Sequence, residues 1–292
     1  MKKYVSLMLV LMALAGFILA EDKKKDQKQA QPAAQAAPQK SPDQVAMEEK
    51  QALIQRIQAN GNNPQELVTA AEEFIQKYPN DQNVLFVRFQ ATLAYQRLNN
   101  FEKMEEQGKI VMQAIPDNPV IPTLLANAYA ENNKIAEAEA MAAKALAIVD
   151  KMTRPENVPA EQWDPQINEL KCTLYSSMGY VDLQKVSKID KAEKEKRTEI
   201  LNKAIGEFTK AVTLNKMDDI SYYRLGICYA FENKVDESLA AYAKAAALNR
   251  AVGDRAKADI EKILENLKKA NQLGDRTYDS LVAKAKQELG IQ

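Results

Sequence analysis

The stretch SYYRLGICYAFENKVDESLAAYAKAAALN, residues 221–249, sets two tyrosines before Leu225-Gly226 and a third at Tyr229. A polar break at Glu232–Lys234 follows, and then a run of small residues. Apolar residues recur at three and four on both sides of the break, which predicts two helices joined by a short turn. Glycine inside a helix costs about 1 kcal/mol against alanine. Gly226 is therefore expected where two helix backbones approach closely, with Tyr and Leu filling the space beside it.

The same order recurs along the chain. Counted from Gly226, Tyr229 lies three residues on, Ser238 twelve, Tyr242 sixteen and Ala245 nineteen. Ala126 stands in the same relation to Tyr129, Ala138, Ala142 and Ala145. Thr92, 34 residues earlier, does so to Tyr95, Met104, Gly108 and Val111, with Pro116 closing the unit. Leu67, Ala70, Phe74 and Pro79 supply a further half-unit. Ala204, Phe208, Ala211 and Leu214 precede Ser238, Tyr242, Ala245 and Leu248 by 34.

A period of 34 with this internal order resembles the tetratricopeptide repeat (TPR). The copy at 219–250 carries Tyr222, Leu225, Gly226, Tyr229, Tyr242 and Ala245, with Ser238 for a small Ala and Arg250 for the closing Pro. The copy at 118–150 has Pro122 and Ala142 in the two aromatic slots, and the copy at 85–116 has Thr92 for Gly. The resemblance covers a repeat array at 45–250. It implies an all-α, right-handed helical-repeat solenoid of about five helix pairs. Each pair buries its apolar face only against its neighbours.

Two intervals break the period. Ala126 to Ser177, read as the next small slot, is 51 residues, or 34 plus 17. The surplus falls in a Pro-containing long loop at 151–167 that holds Trp163, either docking the loop on the core or standing as an exposed contact. Ser177 to Ala204 is 27 rather than 12. The extra residues predict a charged helical-hairpin insertion at 181–200, held by Val181, Val186 and Ile189. Residues 251–292 read as C-terminal capping helices, with Leu273-Gly274 as a stop and Asp275 as an N-cap.

Residues 1–20, MKKYVSLMLVLMALAGFILA, have two lysines ahead of an apolar run and read as a signal peptide cleaved before Glu21. The alternative is an uncleaved membrane anchor, since 17 apolar residues of helix span about 25 Å against a hydrocarbon core of about 30 Å. Residues 21–44 form a Lys/Gln/Ala/Pro tether, expected to be disordered for want of apolar surface. The expected location is exported, periplasmic or secreted.

Among 292 residues, Lys+Arg and Asp+Glu balance at 40 each, so there is no global field to attract nucleic acid or an anionic membrane. Histidine is absent, which removes the commonest general base and zinc ligand. The two cysteines, Cys172 and Cys228, have no CxxC spacing and, in the register above, lie too far apart for a disulfide. No cofactor, metal or catalytic residue is assigned.

The expectation is a non-catalytic protein–protein interaction scaffold or assembly factor of the bacterial cell envelope. Its partner, a protein of unknown identity, would lie in the concave groove lined by the first helices. By the resemblance, the groove slots are Phe89, Leu93, Gln96 and Arg97, then Thr123, Asn127 and Glu131, then Tyr223, Ile227 and Phe231. The aromatics are either partner anchors or contacts with the next repeat. Two other classes stay open: an envelope enzyme with a carboxylate pair, and a binding protein for cell-wall polymer or lipid.

Overall fold

The computed structural model describes residues 41–292, which fall into two compact units divided at Ile121/Pro122. The described residues are helical with short connections and contain no strand. The signal peptide and most of the tether lie outside them. Helix α1 (Pro42–Ala59) takes in the last three residues assigned to the tether. The reason is local: Ser41 accepts from the Gln44 N–H while the Gln44 side chain caps the Ser41 N–H, and Pro42 needs no donor at N1.

In the first unit, α1 packs on α2 (Pro64–Lys77), α2 on α3 (Val84–Arg97) and α3 on α4 (Phe101–Ala114). The half-unit seen in the sequence is thus a whole helix pair. Positions 34 apart have like roles: Ala70 and Met104 are 0% and 2% exposed, and Phe74 and Gly108 are both buried.

The second unit begins within α5 (Val120–Glu131). It continues with α6 (Ile135–Val149), α7 (Ala160–Lys188), α8 (Lys194–Leu214), α9 (Asp219–Phe231), α10 (Val235–Leu248), α11 (Gly253–Lys269) and α12 (Tyr278–Leu289). Ala126 packs with Ala142, Ala145 and Leu174, the small-residue contact expected between paired helices. Each unit is an all-α stack of TPR-like helix pairs.

Gly226 has the predicted reason to be glycine. A Cβ there would lie 2.5 Å from Tyr242 Cδ1, and the Ser238 hydroxyl donates to the Gly226 carbonyl at 2.9 Å. Gly179 repeats this against Phe208, at 2.9 Å from Cε1. The ammonium of Lys210 lies over the Tyr175 ring as that of Lys244 lies over Tyr222. Tyr175 precedes Gly179 by four residues, as Tyr222 precedes Gly226. The small slot of α7 is therefore Gly179, not Ser177.

This shift redraws both interruptions. The expected loop ends early, because α7 starts at Ala160, and buried Trp163 sits in its first turn. The expected insertion is the lengthened end of α7 and start of α8, which pack on each other. Val181, Leu183, Val186 and Leu201 are buried between them. Arg197 closes the turn by donating to the Val186 and Ile189 carbonyls at 3.1 and 3.0 Å. Only the tip stands free as charged surface.

Three first helices end alike. Asn99, Asn133 and Asn233 are left-handed at φ 55°, 57° and 57°. The next residue donates to the carbonyl of Tyr95, Tyr129 or Tyr229, each at 2.9 Å. Asparagine tolerates this conformation better than most residues with a Cβ. Asn133→Val should lower the unfolding free energy by about 1–3 kcal/mol, with Asn133→Gly close to neutral. Equal costs in urea unfolding would show that φ at this site is not the constraint.

Helix α11 ends the same way, with Asn271 at φ 54° and the Gln272 N–H on the Leu267 carbonyl at 2.8 Å. Both α11 and α12 pack on α10, so the C-terminal helices extend the stack as a further, more open pair. The N-cap of α12 is Thr277, which forms a capping box with Ser280; Asp275 does not cap it.

Candidate functional site

The first-helix positions assigned to a groove divide between the two units. In the first, Phe89 is buried at 6% exposure and Leu93 is half-buried, so both serve the packing of α3. Gln96 and Arg97 are exposed on the last turn, and Arg97 donates to the Gly61 carbonyl in the α1–α2 connection.

In the second unit Thr123 is buried and Asn127 half-buried, its side-chain oxygen accepting from the Ser177 hydroxyl at 3.4 Å. Tyr223 is half-buried, tilted against the Tyr242 ring with centroids 5.4 Å apart, and its hydroxyl donates to Asp259 of α11 at 2.9 Å. Burial, with the Asp259 carboxylate beside it, pushes the Tyr223 phenol up to about 12. Ile227 is half-buried, and Phe231 is 51% exposed. Of the ten positions, Gln96, Arg97, Glu131 and Phe231 are open to a partner, and the others mainly hold repeats together.

The corrected register adds residues that spacing alone misses. Counting from Gly179 as from Gly226 puts Ser176, Tyr180 and Gln184 of α7 level with Tyr223, Ile227 and Phe231 of α9. Arg224 of α9 lays its guanidinium 3.7 Å from the Tyr180 ring centroid and pairs with Glu131 of α5 at 2.6 Å. Gln184 donates to the Ala130 carbonyl at 2.9 Å. These contacts tie α5, α7 and α9 into one bonded face. Arg224 and Glu131 are 93 residues apart, so no local pattern announces the pair.

Other groups in the second unit hold structure. Asp182, 2% exposed, is matched by Lys203 at 3.2 Å and Lys185 at 3.4 Å, and Glu207 by Lys210 at 3.2 Å. Cys172 and Cys228 are buried free thiols, and the Cys172 sulfur approaches Asp218 at 3.4 Å. Burial pushes both thiols far above their ordinary value, which keeps them protonated and unreactive. Among the described residues, no group of three or more Cys, Asp and Glu side chains is placed to hold a metal ion. No helix there is long and apolar enough to cross a membrane.

No protein-family model and no curated protein matches the chain. Among solved structures, a MamA RS-1 double mutant is 13% identical, with a TM-score of 0.48, covering 69% of this chain and 95% of its own. Pseudomonas aeruginosa PilF is 12% identical at 0.46, covering 84% and 99%. A TPR protein of Thermus thermophilus is 16% identical at 0.42, covering 75% and 98%. None of these three reaches a TM-score of 0.5, and the fold assignment stands on the helix pairs themselves.

Proposed function

We propose that this chain is a non-catalytic protein–protein interaction scaffold or assembly factor of the bacterial cell envelope. Its first-helix faces receive an extended or helical segment of a protein partner. The observation that carries this reading is the bonded face of α5, α7 and α9, where Glu131, Arg224 and Tyr180 join three successive first helices. A surface fixed in advance loses little freedom when a partner docks, so contact energy is retained as affinity. Export rests on the apolar run at 4–20 behind Lys2 and Lys3.

The test is photo-crosslinking in the native cell, with probes replacing Gln96 and Phe231, both open to a partner, and a control at Lys194. A discrete protein adduct from the face positions alone is expected, on a chain whose mature N-terminus is Glu21. Adducts only from Lys194 would move the binding surface to the α7–α8 tip. Silence at all positions would remove the scaffold reading, and a chain retained in the cytoplasm would remove its envelope setting.

A further inference from the structure

Helix α10 is covered on a side that α4 and α8 leave to solvent. Ala240, Ala243, Lys244 and Ala247 form one stripe along it, spaced at three, four and seven residues. Ala243 and Ala247 are 0% and 9% exposed. In the same register α4 places Glu106, Lys109, Ile110 and Gln113, and α8 places Gly206, Thr209, Lys210 and Thr213, all of them exposed. The difference is α12, which packs on α10. Glu288 of α12 pairs with Lys244 at 2.8 Å, and Ala285 is 3% exposed. Leu281, Val282 and Leu289 pack against the core that contains Ala243 and Ala247. The stripe on α10 is thus a seat for a helix, and the structure shows the helix seated. Its small residues let the two axes come close, and its lysine takes a carboxylate from the incoming helix.

Helix α6 repeats this seat residue for residue. Ala140, Ala143, Lys144 and Ala147 stand where α10 has Ala240, Ala243, Lys244 and Ala247. In that register α4 shares none of the four and α8 only the lysine, which is paired with Glu207. On α6 the three alanines are exposed and Lys144 is half-buried. Among the described residues no carboxylate pairs with Lys144.

We propose that the outer stripe of α6 is a second docking surface, which takes an amphipathic helix of a partner protein. The chemistry of that helix is read from α12: branched apolar residues about a small one, and a carboxylate three residues after the small one to meet Lys144. A partner suits the seat better than α12 of another copy. Each α12 is joined to α11 by a short connection and already sits on its own α10. That tether gives it a high effective concentration there. The stripe is narrow, so a helix held by it alone binds weakly and gains from a second contact elsewhere. The proposal uses the outer face of a second helix and does not rest on the first-helix face of α5, α7 and α9.

Fluorescence anisotropy of a labelled peptide with the sequence of residues 277–292, titrated with the full chain, tests the seat. Saturable binding is expected. Lys144→Glu should weaken it about three- to tenfold, because an exposed ion pair becomes a like-charge contact. A peptide carrying Glu288→Lys should recover that loss on the Lys144→Glu chain. Since Lys244 is untouched, the recovery separates α6 from a peptide that merely displaces α12 from α10. Ala143→Gln, a good helix former at an exposed position, should weaken binding at least about fivefold by filling the stripe, with helical content unchanged. A photo-probe at 143 should capture the peptide, and one at Thr209 of α8 should not. Absence of saturable binding would overturn the proposal. So would binding that Lys144→Glu and Ala143→Gln leave unchanged. A 143 probe that captures α12 of another copy without added peptide would overturn the partner as occupant.

Discussion

Replacing Phe208 with alanine should lower the unfolding free energy by about 3–5 kcal/mol, because the ring is fully buried and its loss leaves a cavity. Its position opposite Gly179 makes the effect more informative than most core truncations. A Cβ on Gly179 would come within 2.9–3.0 Å of three atoms of that ring. Gly179→Ala alone should therefore cost about 1–3 kcal/mol by overpacking, although alanine is the better helix former by about 1 kcal/mol. With the ring gone, the new methyl has room. The double variant should then be more stable than the sum of the two single losses by about 1–2 kcal/mol. Gly206, on the same helix as Phe208, has nothing within 4 Å of its would-be Cβ. Gly206→Ala should stabilise by up to about 1 kcal/mol and so calibrates the propensity gain. Urea unfolding of the four variants and the parent decides the matter. Additive losses for Phe208→Ala and Gly179→Ala would mean that ring and glycine do not meet.

That pair also shows where the fold is legible in the sequence and where it is not. Gly226 and Tyr242 are sixteen residues apart in an uninterrupted copy. The close approach there follows from the period and from the cost of a mid-helix glycine. Gly179 and Phe208 make the same contact across 29 residues, because the ends of α7 and α8 are lengthened between them. The counting anchor is missing as well: α3, α5 and α9 end on a left-handed asparagine, whereas α7 runs on to Lys188. Without that stop, Ser177 and Gly179 look equally small, and choosing Ser177 hides Tyr180 and Gln184 from the first-helix face. Two signals in the sequence favour Gly179. Tyr175 stands four residues ahead of it, as Tyr222 does ahead of Gly226. Lys210, two residues after Phe208, precedes Lys244 by 34, as Phe208 precedes Tyr242. The role of Tyr223 is hidden for a related reason. Once residues 251–292 are read as a cap, nothing suggests that Asp259 of α11 reaches its hydroxyl. The Arg224–Glu131 bridge is out of reach of any periodic argument, since it depends on how α5, α7 and α9 stack.

The chain should be far more sensitive to alkali than to acid, unfolding cooperatively between about pH 10 and 12. The groups responsible are phenols and thiols held neutral inside the helix pairs. Burial, then the bond to Asp259, raises Tyr223 to about 12, and burial, then the nearby Glu232, raises Cys228 to about 12. Tyr222 and Tyr229 are raised chiefly by burial, and Tyr95, Tyr242 and Cys172 are raised further by the same cause. In the unfolded chain these groups return to ordinary values of 9.0 for a thiol and 10.0 for a phenol. The folded values being the higher ones, their contribution is fully present below about pH 9 and is lost as pH rises towards the folded values. A fully buried group loses about 1.4 kcal/mol per pH unit across that window, and the partly exposed tyrosines lose less. Because several such groups act together, the loss erodes a typical stability of about 5–15 kcal/mol as pH rises through that window. On the acid side there is no histidine to charge, and carboxylates held below their ordinary range, such as Glu73 bonded to Lys77 and Glu265 bonded to Lys269, lie at the surface. Circular dichroism and tyrosinate absorbance followed together against pH make the measurement. Loss of helix and appearance of tyrosinate should coincide. Tyrosines that all titrate at their ordinary value while the helices persist would show that these rings are not held in the interior, and the packing assigned to Tyr95, Tyr223 and Tyr242 would fail with them.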